Sequence, residues 1–200
     1  MKRAKNLFEQ LITDYNIDRA ITRSAKSKRK RPDVQRVLDN RIKYIKKLKE
    51  VICNNDFTKP LHKGIKIYDG SSKKERLIIV PAYIYEQIVH HAVVQILEPI
   101  IMRGMYVFSC GSVPGRGIHY GKRFIEKYIR EHNGTDIKYC LKFDIKHYYQ
   151  SVNTDLLMQK FKCIIKDAKM LNIIDTILKS NKAEYEGEIV DMGLPIGFYT

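Results

Sequence analysis

One apolar run that ends in an acid constrains the fold of this chain more than any other feature. Residues 139–145 read Tyr-Cys-Leu-Lys-Phe-Asp-Ile and predict a largely buried β-strand with Asp144 at its end. A carboxylate at that place is costly to bury unless it is paired or holds a metal ion. Taken alone, an aspartate that caps a turn or pairs with a neighbouring lysine is the commoner case. The run therefore predicts a sheet and one candidate chemical group.

The charge of the chain favours a polyanionic partner. Lysine and arginine number 37 against 22 aspartates and glutamates, which gives a formal net charge of +15 over 200 residues. A basic excess of this size is typical of proteins that bind nucleic acid, and a solvated cationic face is the alternative. Hydrophobic residues make up 44% of the chain, enough to form a buried core.

Several classes of protein are disfavoured by the pattern. No apolar run approaches the roughly 20 residues that span a bilayer, and the basic start continues into an amphipathic stretch, unlike a signal peptide. The cysteines, which are Cys53, Cys110, Cys140 and Cys163, have no Cys-x-x-Cys spacing, so a zinc site is not expected. We expect reduced thiols in a cytoplasmic protein without a membrane partner.

Periodicity and turn residues predict a mixture of helices and hairpins. Helices are predicted over 5–21, 33–53, 83–101, 118–132, 153–165 and 167–180, and hairpins over 65–80 and 184–190. In the helix over 118–132 the residues expected to face inward are Ile118, Phe124, Ile125, Tyr128 and Ile129. The basic segment 23–32 predicts a loop or arm, in which Arg29, Lys30 and Arg31 either contact phosphates or form a solvated linker.

The residues around Asp144 resemble a catalytic motif. Phe143 to Val152 reads Phe-Asp-Ile-Lys-His-Tyr-Tyr-Gln-Ser-Val, which resembles the first catalytic motif of reverse transcriptases. The resemblance implies that Asp144 binds two Mg²⁺ ions for nucleotidyl transfer, with the backbone carbonyl of Ile145 completing a magnesium ligand set. It also implies that the ring of Tyr149 lies beneath the sugar of the incoming nucleotide and selects dNTP over rNTP.

Other segments resemble the same family in the family's order. Lys73 to Pro81 is similar to the fingers strand, which implies that Arg76 holds the triphosphate. A nearby lysine assists it in the family, and both Lys66 and Lys74 are candidates for that role. Gln87 to Ile100 is similar to the fingers helix that follows. Phe108 to His119 resembles the Pro-Gly-Arg loop of group II intron, retron and diversity-generating enzymes, in which Arg116 and His119 would contact nucleic acid or substrate phosphates.

The C-terminal segment completes the resemblance. Met192 to Thr200 looks like the Gly-Leu-Pro-Ile-Gly segment, which implies that Pro195, Ile196 and Gly197 lie near the incoming base and the template. The implied fold is α+β, with a basic helical extension over 1–60, fingers over 61–135 and a partial palm over 136–200, whose antiparallel sheet carries Asp144. The implied partners are an RNA template, an RNA/DNA duplex and dNTP.

One absence shapes the functional expectation. The sequence contains no Asp-Asp pair, whereas the family's second catalytic motif is aromatic-x-Asp-Asp. We therefore expect a truncated RNA-directed DNA polymerase that is inactive by itself, with exposed apolar surface on the partial palm and a tendency to self-associate. The alternative is a non-catalytic RNA-binding fingers module with a maturase-like or assembly role. The two differ on Asp144, which only the polymerase requires.

Overall fold

The computed structural model describes the chain except residues 1, 60, 71–72, 112, 133–136, 147, 192 and 195–200, and describes Asp69 and Lys74 by their backbone alone. It divides into two compact units, Met1–Ile100 with His147–Thr200, and Ile101–Lys146. In the described part of the chain, no helix combines the length and the apolar character needed to cross a lipid bilayer.

The described residues of the N-terminal part form four α-helices where periodicity predicts two. The predicted helix over 5–21 is interrupted at Thr13, whose hydroxyl oxygen accepts a hydrogen bond from the Asn16 amide at 3.2 Å and so begins a new helix. The predicted helix over 33–53 is interrupted at Asn40, whose φ of −125° and ψ of 39° are not helical. The helices are α1 (Leu7–Leu11), α2 (Asp14–Ser24), α3 (Pro32–Asp39) and α4 (Arg41–Cys53).

The described strands form one mixed sheet in the order β2–β1–β3–β4. Both predicted hairpins are confirmed, β1 with β2 and β3 with β4. The second hairpin turns at Glu186 and Gly187, whose φ values of 52° and 83° suit a two-residue hairpin turn. His62 pairs in parallel with Ala183, so the two hairpins share one sheet. The strands are β1 (His62–Asp69), β2 (Lys74–Ile79), β3 (Lys182–Tyr185) and β4 (Glu188–Asp191).

A π-helix leads into a buried α-helix. The predicted helix over 83–101 is confirmed as the π-helix Tyr83–Gln87 followed by α5 (Ile88–Met102). The carbonyl oxygen of Ala82 accepts hydrogen bonds from the amides of both Glu86 and Gln87, at 3.1 and 3.0 Å, so the first turn is one residue wider than in an α-helix. The side chain of Glu86 is buried at this wide turn.

One hydrophobic core joins the helices of the first unit. The two helices predicted over 153–165 and 167–180 are confirmed as α8 (Thr154–Ile164) and α9 (Ala168–Lys179), after a short α7 (Tyr148–Ser151). The Ala4 amide donates to the Ile164 carbonyl oxygen and the Lys166 amide donates to the Ala4 carbonyl oxygen, both at 2.8 Å, which ties Ala4 to the end of α8 and the linker that leads into α9. Fully buried core members are Leu11, Ile17, Ile21, Leu48, Ile52, Ile88, Ile165 and Met170.

The second unit contains α6 (Ile118–Glu131), which confirms the helix predicted over 118–132. The prediction that its apolar residues face inward is wrong for four of the five: Ile118, Ile125, Tyr128 and Ile129 are exposed, Ile118 by 87%. Phe124 is half-buried. A unit this small has too little chain to cover every apolar side of a helix, which is the physical reason for the difference.

The strand predicted over 139–145 is not formed. The described residues 137–145 have no regular secondary structure, and Tyr139 and Phe143 are 92% and 81% exposed. A strand needs backbone partners, and the strands of the described sheet pair only with one another. The expectation that a palm sheet carries Asp144 is therefore not met by the described residues. An exposed apolar surface on the palm sheet, and self-association through it, stay predictions.

Candidate nucleotide and nucleic-acid site

Asp144 and Ile145 lie in the second unit, and both are exposed. Two-metal chemistry places several carboxylates around two ions. Among the described residues, no group of three or more His, Cys, Asp or Glu side chains is placed to hold a metal ion. The described residues therefore do not fit a two-magnesium site, and a ligand role for Asp144 and Ile145 stays a prediction.

Tyr149 lies in the first unit, where it contacts the segment that resembles Gly-Leu-Pro-Ile-Gly. Its carbonyl oxygen accepts a hydrogen bond from the Leu194 amide at 2.8 Å. A Cβ atom added to Gly193 would lie 2.7 Å from the carbonyl oxygen of Gln150, and even nearer to that of Tyr149. The two motif segments are therefore in direct backbone contact. Pro195, Ile196 and Gly197 lie outside the described residues.

The carboxylate of Asp191 holds the turn that makes this contact. Its Oδ1 atom accepts hydrogen bonds from the Gly193 amide at 2.9 Å and from the Asn181 side-chain amide at 2.8 Å. Gly193 has a φ of +58°, a left-handed conformation that glycine adopts without strain. The ring of Tyr149 remains 48% exposed and meets the ring of Tyr148 edge to face at 5.4 Å. The contact between this turn and α7 fixes the backbone of Tyr149 and leaves its ring accessible.

Arg76 and Lys66 lie on opposite faces of the β1–β2 hairpin. Arg76 pairs with Ile67, whereas Lys66 pairs with Leu77, and adjacent residues of a strand point to opposite faces. The Lys66 ammonium lies 3.4 Å from the Glu75 carboxylate and over the Tyr185 ring, and its pKa is raised first by Tyr185 and then by Glu75. Lys66 and Arg76 therefore do not face the same side of the hairpin, where both could contact one triphosphate. Lys74 lies two residues from Arg76 on β2.

Arg116 shapes the loop in which the sequence places it. Its Nη1 atom donates to the carbonyl oxygens of Tyr106 and Val107, at 3.1 and 3.4 Å. Its guanidinium carbon lies 5.4 Å from the centre of the Tyr120 ring. His119 is exposed in the first turn of α6. A contact of Arg116 or His119 with nucleic acid stays a prediction.

The basic segment between α2 and α3 is folded into hydrogen-bonded turns. The Lys28 ammonium donates to the side-chain oxygen of Gln87 at 2.6 Å, and burial, followed by the charge of Arg31, lowers its pKa. Arg31 makes a two-point contact with the Asp33 carboxylate, at 3.1 and 2.6 Å. Arg29 and Lys30 are exposed. The segment thus presents Lys26, Arg29 and Lys30 to solvent, while Lys28 and Arg31 contact the protein itself.

A buried carboxylate that was not predicted from the sequence joins three segments of the first unit. Glu86 accepts hydrogen bonds from His62 Nε2 at 2.6 Å, Thr58 Oγ1 at 2.7 Å, the Lys59 amide at 3.1 Å and the Ala82 amide. Burial alone raises the pKa of Glu86, but these donors, His62 first, outweigh it and lower the pKa to about 2. The acid in an otherwise apolar run after Pro81 is the signal that could have identified it.

An open cavity of about 980 Å³ lies beside Glu86. Its lining contains charged side chains of both signs, the buried His62 and Glu86 pair, and tyrosines. The charged and aromatic lining residues include Arg31, Lys59, Lys63, Tyr83, Tyr85 and Glu184. Because all four hydrogen bonds of the Glu86 carboxylate come from the protein, we assign the pair a structural role.

The comparisons with known proteins show a weak similarity over part of the chain. No protein-family model matches the chain. The chain is similar to Protein YkfC of Escherichia coli (strain K12), with 25% identity over 124 residues. The matched part is 62% of this chain and 30% of that protein, so the chain spans about a third of the length of the curated relative it matches.

Proposed function

We propose that the chain is the fingers and partial palm of a bacterial-type reverse transcriptase, an RNA-directed DNA polymerase, and that it binds nucleotide together with an RNA template or RNA/DNA duplex. The observation that carries the proposal is the hydrogen bond from the Leu194 amide to the Tyr149 carbonyl oxygen. The resemblance assigns both segments to the incoming nucleotide, and they are far apart in sequence. Contact between them is what that assignment requires.

The chemistry of the surroundings supports a nucleotide ligand. The exposed ring of Tyr149 offers a flat apolar surface against which a sugar can pack. The close backbone contact at Gly193 fixes the position of the Tyr149 backbone, from which the ring extends. Arg76 lies on a strand of the described sheet, and a guanidinium suits the paired oxygens of a phosphate. The formal net charge of +15 favours a nucleic-acid partner over other ligands.

The proposal separates binding from turnover. In the parent polymerase, Asp144 would supply one carboxylate to two Mg²⁺ ions that stabilise the transferred phosphoryl group. We expect no polymerisation from the described residues alone, because they hold no group of carboxylates that fits two ions. Replacing Asp144 with Asn in an active parent protein should abolish synthesis, and retained synthesis would contradict the proposal. We also propose a cytoplasmic location, since all four cysteines are free thiols.

The direct test measures nucleotide selectivity with matched tyrosine variants. Binding of dATP and of ATP to the chain, in the presence of Mg²⁺ and an RNA/DNA primer–template, is measured by thermophoresis. The wild type should bind dATP more tightly than ATP, and Tyr149→Ala should reduce that difference. Tyr148→Ala is the control, because Tyr148 is the adjacent tyrosine on α7 and is exposed to a similar extent. Equal affinity for both nucleotides in the wild type, or no nucleotide binding, would overturn the proposal.

A second candidate is a non-catalytic RNA-binding module with a maturase-like or assembly role. The exposed Arg29 and Lys30 of the basic segment favour it. It predicts salt-dependent binding of structured RNA with no dependence on nucleotide and no effect of Tyr149→Ala. The nucleotide measurement above therefore separates the two candidates.

A further inference from the structure

Four aromatic rings of the second unit form a continuous cluster that we name the aromatic platform: Tyr106, Phe108, Tyr120 and Phe124. The centres of neighbouring rings lie 5.2 Å apart for Tyr106 and Phe108, 4.8 Å for Phe108 and Phe124, and 4.9 Å for Tyr120 and Phe124. All three pairs meet edge to face. The platform joins the loop before α6 to the first half of that helix.

Two contacts outside the ring cluster also hold the loop in place. Arg116 donates to the carbonyl oxygens of Tyr106 and Val107, which fixes the backbone that carries the outer rings. A Cβ atom at Gly121 would lie 3.2 Å from Cys110 Sγ, so the loop approaches α6 closely where the helix has no side chain. The outer rings of the platform are therefore presented by a fixed backbone.

The outer rings are open to solvent. Tyr106 is 66% exposed and Phe108 is 49% exposed, although aromatic side chains bring most stability when they are buried. An exposed apolar patch that is rimmed by charge commonly marks an interaction site. The exposed rings of the platform therefore indicate a binding site, and the groups around them indicate the kind of partner.

The rim is mainly cationic, although the Lys127 ammonium lies 3.7 Å from the Glu131 carboxylate. The guanidinium groups of Arg116 and Arg123 lie 5.4 and 5.7 Å from the centre of the Tyr120 ring. Helical spacing places Lys127 one turn beyond Arg123 on the same side of α6. Residues 101–146 contain nine lysines and arginines against four acids. The apolar stripe of α6 that contains Ile118 and Ile125 lies on another side of the helix, at the 3.6-residue period.

We propose that the aromatic platform binds single-stranded nucleic acid, with bases stacked on Tyr106 and Phe108 and phosphates held by Arg123 and Lys127. Exposed rings beside a basic helix face combine the two elements that such binding uses, and a duplex would hide the base faces that the rings need. The inference rests on the proposed function, because it names the template strand as the partner, but it concerns residues outside the nucleotide contacts.

The test measures binding of a fluorescent single-stranded oligonucleotide that contains 2-aminopurine. Tyr106→Ala and Phe108→Ala should each weaken binding about 5- to 100-fold without changing its dependence on salt, as loss of one stacked base does. Tyr106→Phe should bind as the wild type does, since the ring remains. Arg123→Ala should lower the slope of log affinity against log salt by about 1. Quenching of 2-aminopurine by the wild type reports stacking directly.

The controls are Ile118→Ala and Ile125→Ala, which remove exposed apolar groups from another side of the same helix. Both should bind the oligonucleotide as the wild type does. Wild-type affinity in Tyr106→Ala and Phe108→Ala, or an equal loss in Ile125→Ala, overturns the inference. The oligonucleotide measurement decides the role of the platform, whereas the nucleotide measurement with Tyr149→Ala decides the proposed function. The failure of one is therefore distinguishable from the failure of the other.

Discussion

The Leu194 amide and the Tyr149 carbonyl oxygen, 2.8 Å apart, connect the end of β4 to the short helix α7. This hydrogen bond is possible because Gly193 has no side chain and turns with a φ of +58°. The position of the Tyr149 backbone therefore depends on Gly193. A change at Gly193 should therefore affect both the stability of this joint and any ligand that Tyr149 contacts.

We predict that Gly193→Ala separates the two segments. The new Cβ would lie 2.7 Å from the Gln150 carbonyl oxygen, a distance that requires the backbone to move. The expected result is a lower melting temperature and a loss of the dATP preference, measured by differential scanning fluorimetry and thermophoresis. The control is Gly187→Ala, which has a positive φ of 83° but no atom within 4 Å of a Cβ. It should show only the strain of a left-handed alanine, about 1 kcal/mol. Equal effects of the two variants would contradict the prediction.

We predict that Arg76 and Lys66 contribute unequally to nucleotide binding. Lys66 is on the hairpin face opposite to Arg76 and is engaged by Glu75 and Tyr185. Arg76→Ala should weaken dATP binding by about tenfold, as expected when a charge-assisted hydrogen bond of about 1.5 kcal/mol is lost. Lys66→Ala should leave dATP binding unchanged in the same thermophoresis measurement. A larger loss for Lys66→Ala than for Arg76→Ala would refute this assignment.

Periodicity is enough to find most helices and both hairpins of this chain, because those signals are local. It misses the breaks at Thr13 and Asn40, where the apolar spacing continues across a residue whose backbone is not helical. It also misses the Glu86 and His62 contact: the acid in the apolar run after Pro81 is a local signal for Glu86, but no local signal shows that His62 meets it once the sheet and the π-helix are in place. Residues 139–145 show the opposite error: apolar composition predicts burial, but burial requires partners that composition does not supply.

We predict that Asp167 caps two helices at once and that its two oxygens have separate roles. Its Oδ2 atom accepts from the amides of Leu7 and Phe8 at the start of α1, and its Oδ1 atom accepts from the Met170 amide of α9. Burial acts to raise the pKa of Asp167, but these amides, Phe8 first, outweigh it and hold the pKa below its usual value. Asp167→Ala should lower the free energy of unfolding by about 2 kcal/mol, the loss of two caps.

The Asn variant distinguishes the two roles of this carboxylate. Asp167→Asn retains one acceptor oxygen, so it should keep one cap and lose about half as much stability as the Ala variant in urea unfolding. The control is Asp155→Ala, an exposed acid in the first turn of α8, which should cost well under 1 kcal/mol. Equal losses in Asp167→Asn and Asp167→Ala would mean that the two oxygens do not act separately.

We predict that Glu86 makes the stability of the first unit sensitive to acid. Its pKa in the folded chain is about 2 and its ordinary value is 4.5, so the folded state favours the ionised carboxylate. The contribution is fully present above pH 4.5 and is lost as the pH falls towards 2. Glu86→Gln should lower the free energy of unfolding by about 2 kcal/mol at pH 7, because its amide group cannot accept from all four donors.

Urea unfolding of the wild type and of Glu86→Gln between pH 7 and pH 2 provides the measurement. The buried rings of His90 and His91, whose pKa values are both lowered to about 4, destabilise both proteins as the pH falls from 6.5 towards 4, so over that range the difference between the two proteins reports Glu86. That difference should stay constant down to pH 4.5 and then shrink, since the wild-type carboxylate becomes protonated. Glu184→Gln, an exposed acid on the rim of the same cavity, should match the wild type throughout. A difference that persists unchanged to pH 2 would show that Glu86 acts through its shape and not through its charge.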